Sequence, residues 1–292
     1  MPNQTITLAA KFAQKVDERF TRLSQAGLAL NNDYKFTGVK TVNVYSIPTV
    51  PLTDYIKSGL SRYGNPTDLD NAVQELTVTR DRAFTFIIDR SDREQTQMTQ
   101  DAARSLARQT RERVIPEYDA YVFWKLASVA AANANGGAGT HTATTAATKA
   151  NAYELFLNAQ EALGDANVPD SGRVCFCSYK FANLLKQDPA FMIQSQRSKE
   201  MVDKGVMGEV DGVKIVKVPK SRLPSGASFI LTHPVAACAP KQIDAHKIHQ
   251  DPPGISGWLV EGRILFDCFV LNEKKNAIFY HGTAPSETFS AP

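Results

Sequence analysis

Apolar positions change their spacing several times along the chain, and each change marks an element. Phe12, Val16, Phe20 and Leu23 recur at three- and four-residue intervals, which predicts an N-terminal helix with one narrow apolar stripe. After Asn31-Asn32-Asp33 the spacing becomes two: Val42 and Val44 share one face and Thr41, Asn43 and Tyr45 the other, a half-buried strand that Pro48 and Pro51 terminate. Turn formers and mixed charge dominate from Thr53 to Ala72, so that segment reads as loop. Alternation resumes in QELTVTRDRAFTFIIDR, where Phe84, Phe86 and Ile88 fall on one side. Two strands around a polar connection predict a long hairpin projecting from the body.

Between Arg93 and Ala134 there is no glycine, and Met98, Ala102, Leu106, Val114, Tyr118, Val122, Leu126 and Val129 recur at roughly helical spacing. The pattern predicts one very long helix, about 60 Å at 1.5 Å per residue. Pro116 lies inside it and is expected to kink or divide it, because proline lacks the backbone donor and crowds the preceding turn. Asn135-Gly136-Gly137-Ala138-Gly139 and the Thr/Ala stretch after it read as a hinge and a domain boundary. Beyond it helices and strands alternate: an amphipathic helix from Ala152 to Leu163, a buried strand in RVCFCS and a short helix in YKFANLLKQ. VMGEVDGVKIVKVP reads as a hairpin with Asp211-Gly212 in a type I′ turn, and strands continue through FILTH, AHKIH, SGWLVEGRILFDCFVL and NAIFYH to a short tail.

Composition narrows the functional classes. With 292 residues, 43% of them apolar, the chain is long enough to bury a large core, and a net charge of +3 supplies no strong field for capturing nucleic acid. No window approaches the roughly 18 uncharged apolar residues of a membrane span, and the N-terminus lacks a signal-peptide pattern, so a cytoplasmic origin and no membrane partner are expected. Cys175, Cys177, Cys238 and Cys268 form neither a disulfide framework nor a zinc pattern, and His246 and His249, three apart, fall on opposite faces of a strand. Neither a metal nor a cofactor is expected. Arg104, Arg108 and Arg111 share a helical face; they read either as a solvated face balanced by Asp101 and Glu112 or as intersubunit ion-pairing groups. The cluster GGAG comes after a helix and lacks the ending of a phosphate loop, and no hydrolase, zinc-protease or dinucleotide fingerprint occurs, so nothing anchors an enzyme.

The order of parts resembles the major capsid proteins of tailed phages, with the Hong Kong 97-type fold. The resemblance rests on RERVIPEYDAYVFWKLA at 111 to 127, GVMGEVDGVKIVKVP at 205 to 219 and DPPGISGWLVEGRILFDCFVLNEKKNAIFYH at 251 to 281, and spans Phe36 to His281. It implies an α+β chain divided into an N-terminal arm (1 to 35), an extended loop hairpin (36 to 90) and a peripheral domain with its spine helix (91 to 135). An axial α/β domain (136 to 239), peripheral return strands (240 to 282) and a C-terminal tail (283 to 292) complete it.

The likeness implies a structural protein, not an enzyme, that self-assembles into hexamers and pentamers of an icosahedral head. Intersubunit contacts are then expected from Tyr55, Ile56, Leu60, Tyr63 and Leu69 on the extended loop, from Arg104, Arg108 and Arg111, and from Phe12, Val16 and Phe20 on the arm. Pro116, Gly136 and Gly137 become hinge residues. The implied partners are further copies of the chain, a portal protein, cement proteins, double-stranded DNA on the inner surface and, since the arm is short for a built-in scaffold, a separate scaffolding protein. Two alternatives stand beside this reading: an encapsulin-like nanocompartment shell that carries enzyme cargo, and a cytosolic hydrolase using Cys175 or Cys177.

Overall fold

In the computed structural model the residues described are 24–31, 33–34, 41–47, 49–59, 61–66, 68, 72–95, 101–133, 145–188 and 208–287. The described residues open on a 3-10 turn, Ala26–Ala29, followed by β1 (Thr41–Ser46), β2 (Ala72–Thr77) and β3 (Arg80–Asp89). Helices α1 (Arg90–Gln95), α2 (Ala102–Gln109) and α3 (Ile115–Ala132) come next, with a π-helical turn at Thr110–Val114 between the last two. Then come α4 (Ala152–Asp165), β4 (Val174–Ser178), α5 (Tyr179–Gln187), β5 (Glu209–Val210), β6 (Val213–Val218) and β7 (Ala227–Thr232). The chain ends with β8 (Ala237–Cys238), β9 (Lys241–Gln250), β10 (Gly257–Phe266), β11 (Phe269–Val270) and β12 (Ile278–Gly282).

The predicted hairpin exists, but its second strand is split. β2 pairs antiparallel with β1, Thr77 opposite Thr41 and Ala72 opposite Ser46, whereas β3 joins a separate sheet in the order β3-β10-β9. The break falls at Val78 and Thr79, and its cause is a carboxylate far away in sequence. Asp267 accepts from the Thr79 amide at 3.0 Å and its hydroxyl at 2.8 Å, turning the chain out of one sheet and into the next. The same carboxylate accepts from the Tyr121 hydroxyl of α3 at 2.7 Å and from the Cys268 amide at 2.8 Å. Val78 is fully buried beside Leu76 and Leu271, which roots the β1–β2 ribbon on the body.

The single long helix expected from Arg93 to Ala134 is also corrected. Asp101 is extended and caps a fresh start, its side chain accepting from the amides of Ala103 and Arg104. Just before Pro116 the ladder resets: the Ile115 amide donates to Thr110, five residues back, as the π turn requires. Pro116 then occupies the first turn of α3, where its missing N–H is harmless. α3 carries nine buried residues and is apolar around most of its circumference, as a helix packed on several sides must be.

A five-stranded sheet, β12-β7-β4-β6-β5, holds the largest core. β4 runs parallel to β6 and antiparallel to β7, buried on both faces, which explains the unbroken apolar run VCFC. Phe123 of α3 meets Phe176 on one face (ring centroids 4.9 Å apart), and Phe181 of α5 meets Phe229 on the other (4.6 Å). The β5–β6 turn carries positive φ at both Asp211 (52°) and Gly212 (75°), as the sequence predicts. The return strands expected over 240 to 282 divide between sheets. β9 and β10 pair with each other, and β10 pairs with β3 on its other edge, but β12 enters the five-stranded sheet beside β7.

Because Tyr121 ties α3 to the carboxylate that turns the chain at Thr79, Tyr121→Phe is expected to cost about 1.5 kcal/mol or more, the usual range for a bond to a charged acceptor. A lower urea midpoint with an unchanged far-ultraviolet spectrum is the outcome to look for.

Candidate self-association surface

An unusual share of the exposed apolar surface gathers on the β1–β2 ribbon and its connection. Tyr45 and Val73 face each other across the ribbon on its open side, and Ile47, Val50, Leu52, Tyr55, Ile56 and Tyr63 continue outward, Tyr63 at 87% and Leu52 at full exposure. The opposite side, Val42, Val44 and Leu76, packs with Leu265, Phe269 and Leu271 on the body. Gln74 fixes that root by donating to the Val270 carbonyl and accepting from the Asn272 amide, both at 3.0 Å.

The end of the connection is held by its own bonds. The Ile56 amide donates to Arg62 (3.1 Å), the Gly64 amide to Ser61 (3.0 Å) and the Thr53 hydroxyl to Tyr63 (3.1 Å), while the Tyr55 and Tyr63 rings meet edge to face at 5.0 Å. Gly64, at φ +84°, also brings its backbone against Thr53, where a side chain would collide with the Thr53 hydroxyl. Large apolar side chains are thus ordered without being buried. Contiguous exposed patches of that kind mark interaction sites.

The other predicted contact groups are distributed differently. Arg104 is exposed on α2, Arg108 is engaged within its own chain by Glu112 at 2.8 Å, and Arg111 lies in the π turn, whose wider spacing interrupts the α-helical register that defines a single stripe. Phe12, Val16, Phe20, Leu60, Leu69, Gly136 and Gly137 lie outside the described residues. Residue-pattern reasoning missed Tyr45, Ile47, Val50, Leu52 and Val73, although large apolar residues around Pro48 and Pro51 were the available signal: a segment that cannot pair regularly has no sheet in which to bury them. It also missed the ionic ties of the body. Glu117 pairs with Arg80 (3.2 Å) and Arg82 (2.6 Å), while Arg80 also pairs with Glu287 of the tail (2.6 Å) and lies over the Tyr121 ring at 4.4 Å. Asp119, a lone acid in the apolar stretch YDAYVFW, is fully buried and paired with Arg222 at 2.8 Å.

Among the described residues the histidines and cysteines singled out by the sequence are not brought together. His246 and His249 pair with Asp244 (3.1 Å) and Glu261 (3.4 Å) on opposite faces of β9, and among the described residues no three His, Cys, Asp or Glu side chains form a metal-binding cluster. Among the described residues no helix is long and apolar enough to cross a membrane. All four thiols are buried and unbridged; burial pushes Cys177 up to about 12 and Cys238 to about 11, and raises Cys175 and Cys268 as well. A thiol so held stays protonated at neutral pH and is a poor nucleophile. A cleft of about 510 Å³ at the start of α5 is lined by Tyr179, Lys180, Phe181, Lys220 and His281, whose imidazole burial biases toward its neutral form.

A protein-family model described as phage capsid protein matches residues 73–278, most of the chain. The chain belongs to that family. It is a tailed-phage major capsid protein, and its role is structural. Solved structures similar in fold include that of Mycobacterium phage Che8, at 18% identity over 97% of this chain and 100% of that one, with a TM-score of 0.76. The capsid of cyanophage P-SCSP1u is similar at 14% identity over 95% and 93% (TM-score 0.70), and the mature capsid of bacteriophage PhiM1 at 13% over 94% and 91% (TM-score 0.71). No curated protein sequence matches the chain. Self-association into capsid oligomers, located in the virion, is the consequence for this capsid protein, and neither the nanocompartment nor the hydrolase alternative is favoured.

The burial of the thiols leads to a direct expectation. At pH 8 a neutral aromatic disulfide reagent should label none of the four cysteines rapidly in native subunits and all four after denaturation, monitored by absorbance of the released thiolate.

Proposed function

We propose that the capsid protein builds an icosahedral head around double-stranded DNA by closing into hexamers and pentamers, each β1–β2 hairpin lying across a neighbouring subunit. One observation carries this reading: Leu52, Tyr55, Ile56 and Tyr63 are exposed on a connection whose tip is held by internal hydrogen bonds. An ordered apolar tip loses little conformational entropy on docking, so more of its burial energy remains as affinity. The three-stranded sheet with α2 and α3 serves as the peripheral domain and spine, and the five-stranded sheet with α4 and α5 as the axial domain. Leu60 and Leu69 extend the loop contact, and Phe12, Val16 and Phe20 dock the arm on an adjacent subunit or the inner shell.

Arg104 and Arg111 are the members of the arginine stripe best placed for pairing between subunits, since both are exposed whereas Arg108 is half-buried against Glu112. Rigid-body movement during maturation uses Pro116, Gly136 and Gly137 as hinges, and the π turn beside Pro116 supports the first of them, because such turns concentrate at functional irregularities in helices. Assembly takes place in the bacterial host cytoplasm with a separate scaffolding protein and a portal protein, and cement proteins bind the finished shell.

Co-expression with a scaffolding partner and then negative-stain microscopy tests the central claim. Closed polyhedral particles are expected from the natural sequence. Ile56→Asp combined with Tyr63→Asp should leave soluble subunits with a native circular dichroism spectrum and no shells; normal shells from that variant would exclude the hairpin contact. Deleting residues 1–23 should likewise reduce the particle yield sharply without lowering the unfolding midpoint of the free subunit, and an unchanged yield would remove the arm from assembly.

A further inference from the structure

Residues 24–31, in the C-terminal part of the arm, are bound to their own subunit by an unusual partner. Ser24 donates its hydroxyl to Asp119 at 2.6 Å, and the Gln25 and Ala26 amides donate to the same carboxylate at 2.9 and 3.4 Å. The Ala26–Ala29 turn has no side-chain cap from the residue before it, so a carboxylate 93 residues away in sequence, on α3, caps it instead. Gln25 also donates to the Lys217 carbonyl at 3.0 Å, and Ala26 and Ala29 are fully buried. Further on, the Asn31 amide donates to Ala237 (2.9 Å) and its side chain to Pro234 and Val235 (3.1 and 3.2 Å), so the segment adds a short parallel partner to β8 at Cys238.

The dependence runs both ways. Asp119 is fully buried, and an ion pair taken out of water is unfavourable unless its remaining lone pairs are also satisfied. Arg222 satisfies part of the carboxylate at 2.8 Å, and the donors of Ser24, Gln25 and Ala26 complete it. A segment that supplies three donors to a buried charge cannot leave without reducing that charge's partners to Arg222 alone among these four groups.

We propose that Asp119 is a positioning residue for assembly, a latch that pins residues 24–31 to their own subunit. The two segments that reach toward neighbours then depart from points fixed on either side of the latch. The proposal rests on the function proposed for residues 1–23 and the hairpin, that both touch adjacent subunits. From Ser24 the preceding 23 residues span at most about 80 Å when fully extended, so the anchor sets which neighbours the arm reaches. Without it the arm's origin shifts past Asn31, and arm and hairpin share one loose tether.

The test combines Asp119→Ala with Arg222→Met, which removes both charges and leaves no guanidinium buried alone. In the full-length unassembled subunit, amide exchange at Gln25, Ala26 and Asn31 should accelerate about tenfold or more while the central strands keep their protection, as expected for local release. Shell yield should fall with it. Asp119→Asn with Arg222→Met, which keeps one acceptor oxygen, should recover part of both. Ser24→Ala with Asn31→Ala makes the same test from the arm side and leaves the buried pair intact, so a folding failure of the first variant does not end the experiment. Unchanged exchange at the three amides in a folded variant overturns the latch, and accelerated exchange with a normal shell yield overturns its positioning role. Failure of the arm's role in assembly would show separately, as normal shells from the chain lacking residues 1–23.

Discussion

A buried carboxylate with its full set of donors is the constraint around which this subunit is organised. Asp119 sits inside an apolar helix, and the groups that satisfy it come from the entering segment and from Arg222 after β6. Nearby on the same helix, Glu117 gathers Arg80 and Arg82 of β3, and Arg80 in turn takes Glu287 of the tail. Asp267 then fastens Tyr121 to Thr79. The first turns of α3 therefore tie together the entering segment, the start of the three-stranded sheet, the loop after β6 and the departing tail. Charges in these positions are stable only as complete sets, so each tie is specific in a way that apolar packing alone is not.

That internal fastening explains how the hairpin can remain apolar and unpacked. A chain with a weak body would fold Leu52, Ile56 and Tyr63 inward, since burying a large apolar side chain is favourable by roughly 1.5–3 kcal/mol. Here the root of the ribbon is fixed by Val78, Gln74 and the Thr79–Asp267 bonds, and its apolar inner side is already occupied with Leu271 and Phe269. The outer residues are held away from that occupied side. In the proposed assembly their burial is deferred to another copy, which would couple a large unused apolar surface to shell formation.

How much of this was legible in the residues depends on the range of the interactions. The β1 strand, the β5–β6 turn at Asp211-Gly212 and the buried run of β4 depend on local spacing and are visible in the sequence directly. The exposed tip was half legible: Tyr55, Ile56 and Tyr63 could be picked out as apolar residues in a loop, but Leu52 and Ile47 were hidden by their proximity to a strand. The split between β2 and β3 could not be read, because continuous alternation conceals a bond to Asp267 from 188 residues away. Asp101 was counted as a charge balancing Arg104 when its chief act is to cap α2, so helical periodicity ran on through a break. The pairing of β12 with β7 is another long-range choice, invisible to any window along the chain.

The same distinction between local and distant interactions bears on how a shell subunit changes shape. Helical segments that meet at a π turn and a proline join two bodies with different fastenings: α3 is embedded in the main core, while α2 lies on the three-stranded sheet with no buried residue of its own. Displacing α2 therefore disturbs half-exposed contacts such as Arg108–Glu112, whereas displacing α3 would break the buried ties of Asp119 and the bond to Asp267 together. Exposed pairs are worth little and reform easily, and buried ones do not. A hinge at Pro116, as proposed, would thus move the α2 side and leave the anchor of the entering segment and the core of the five-stranded sheet in place.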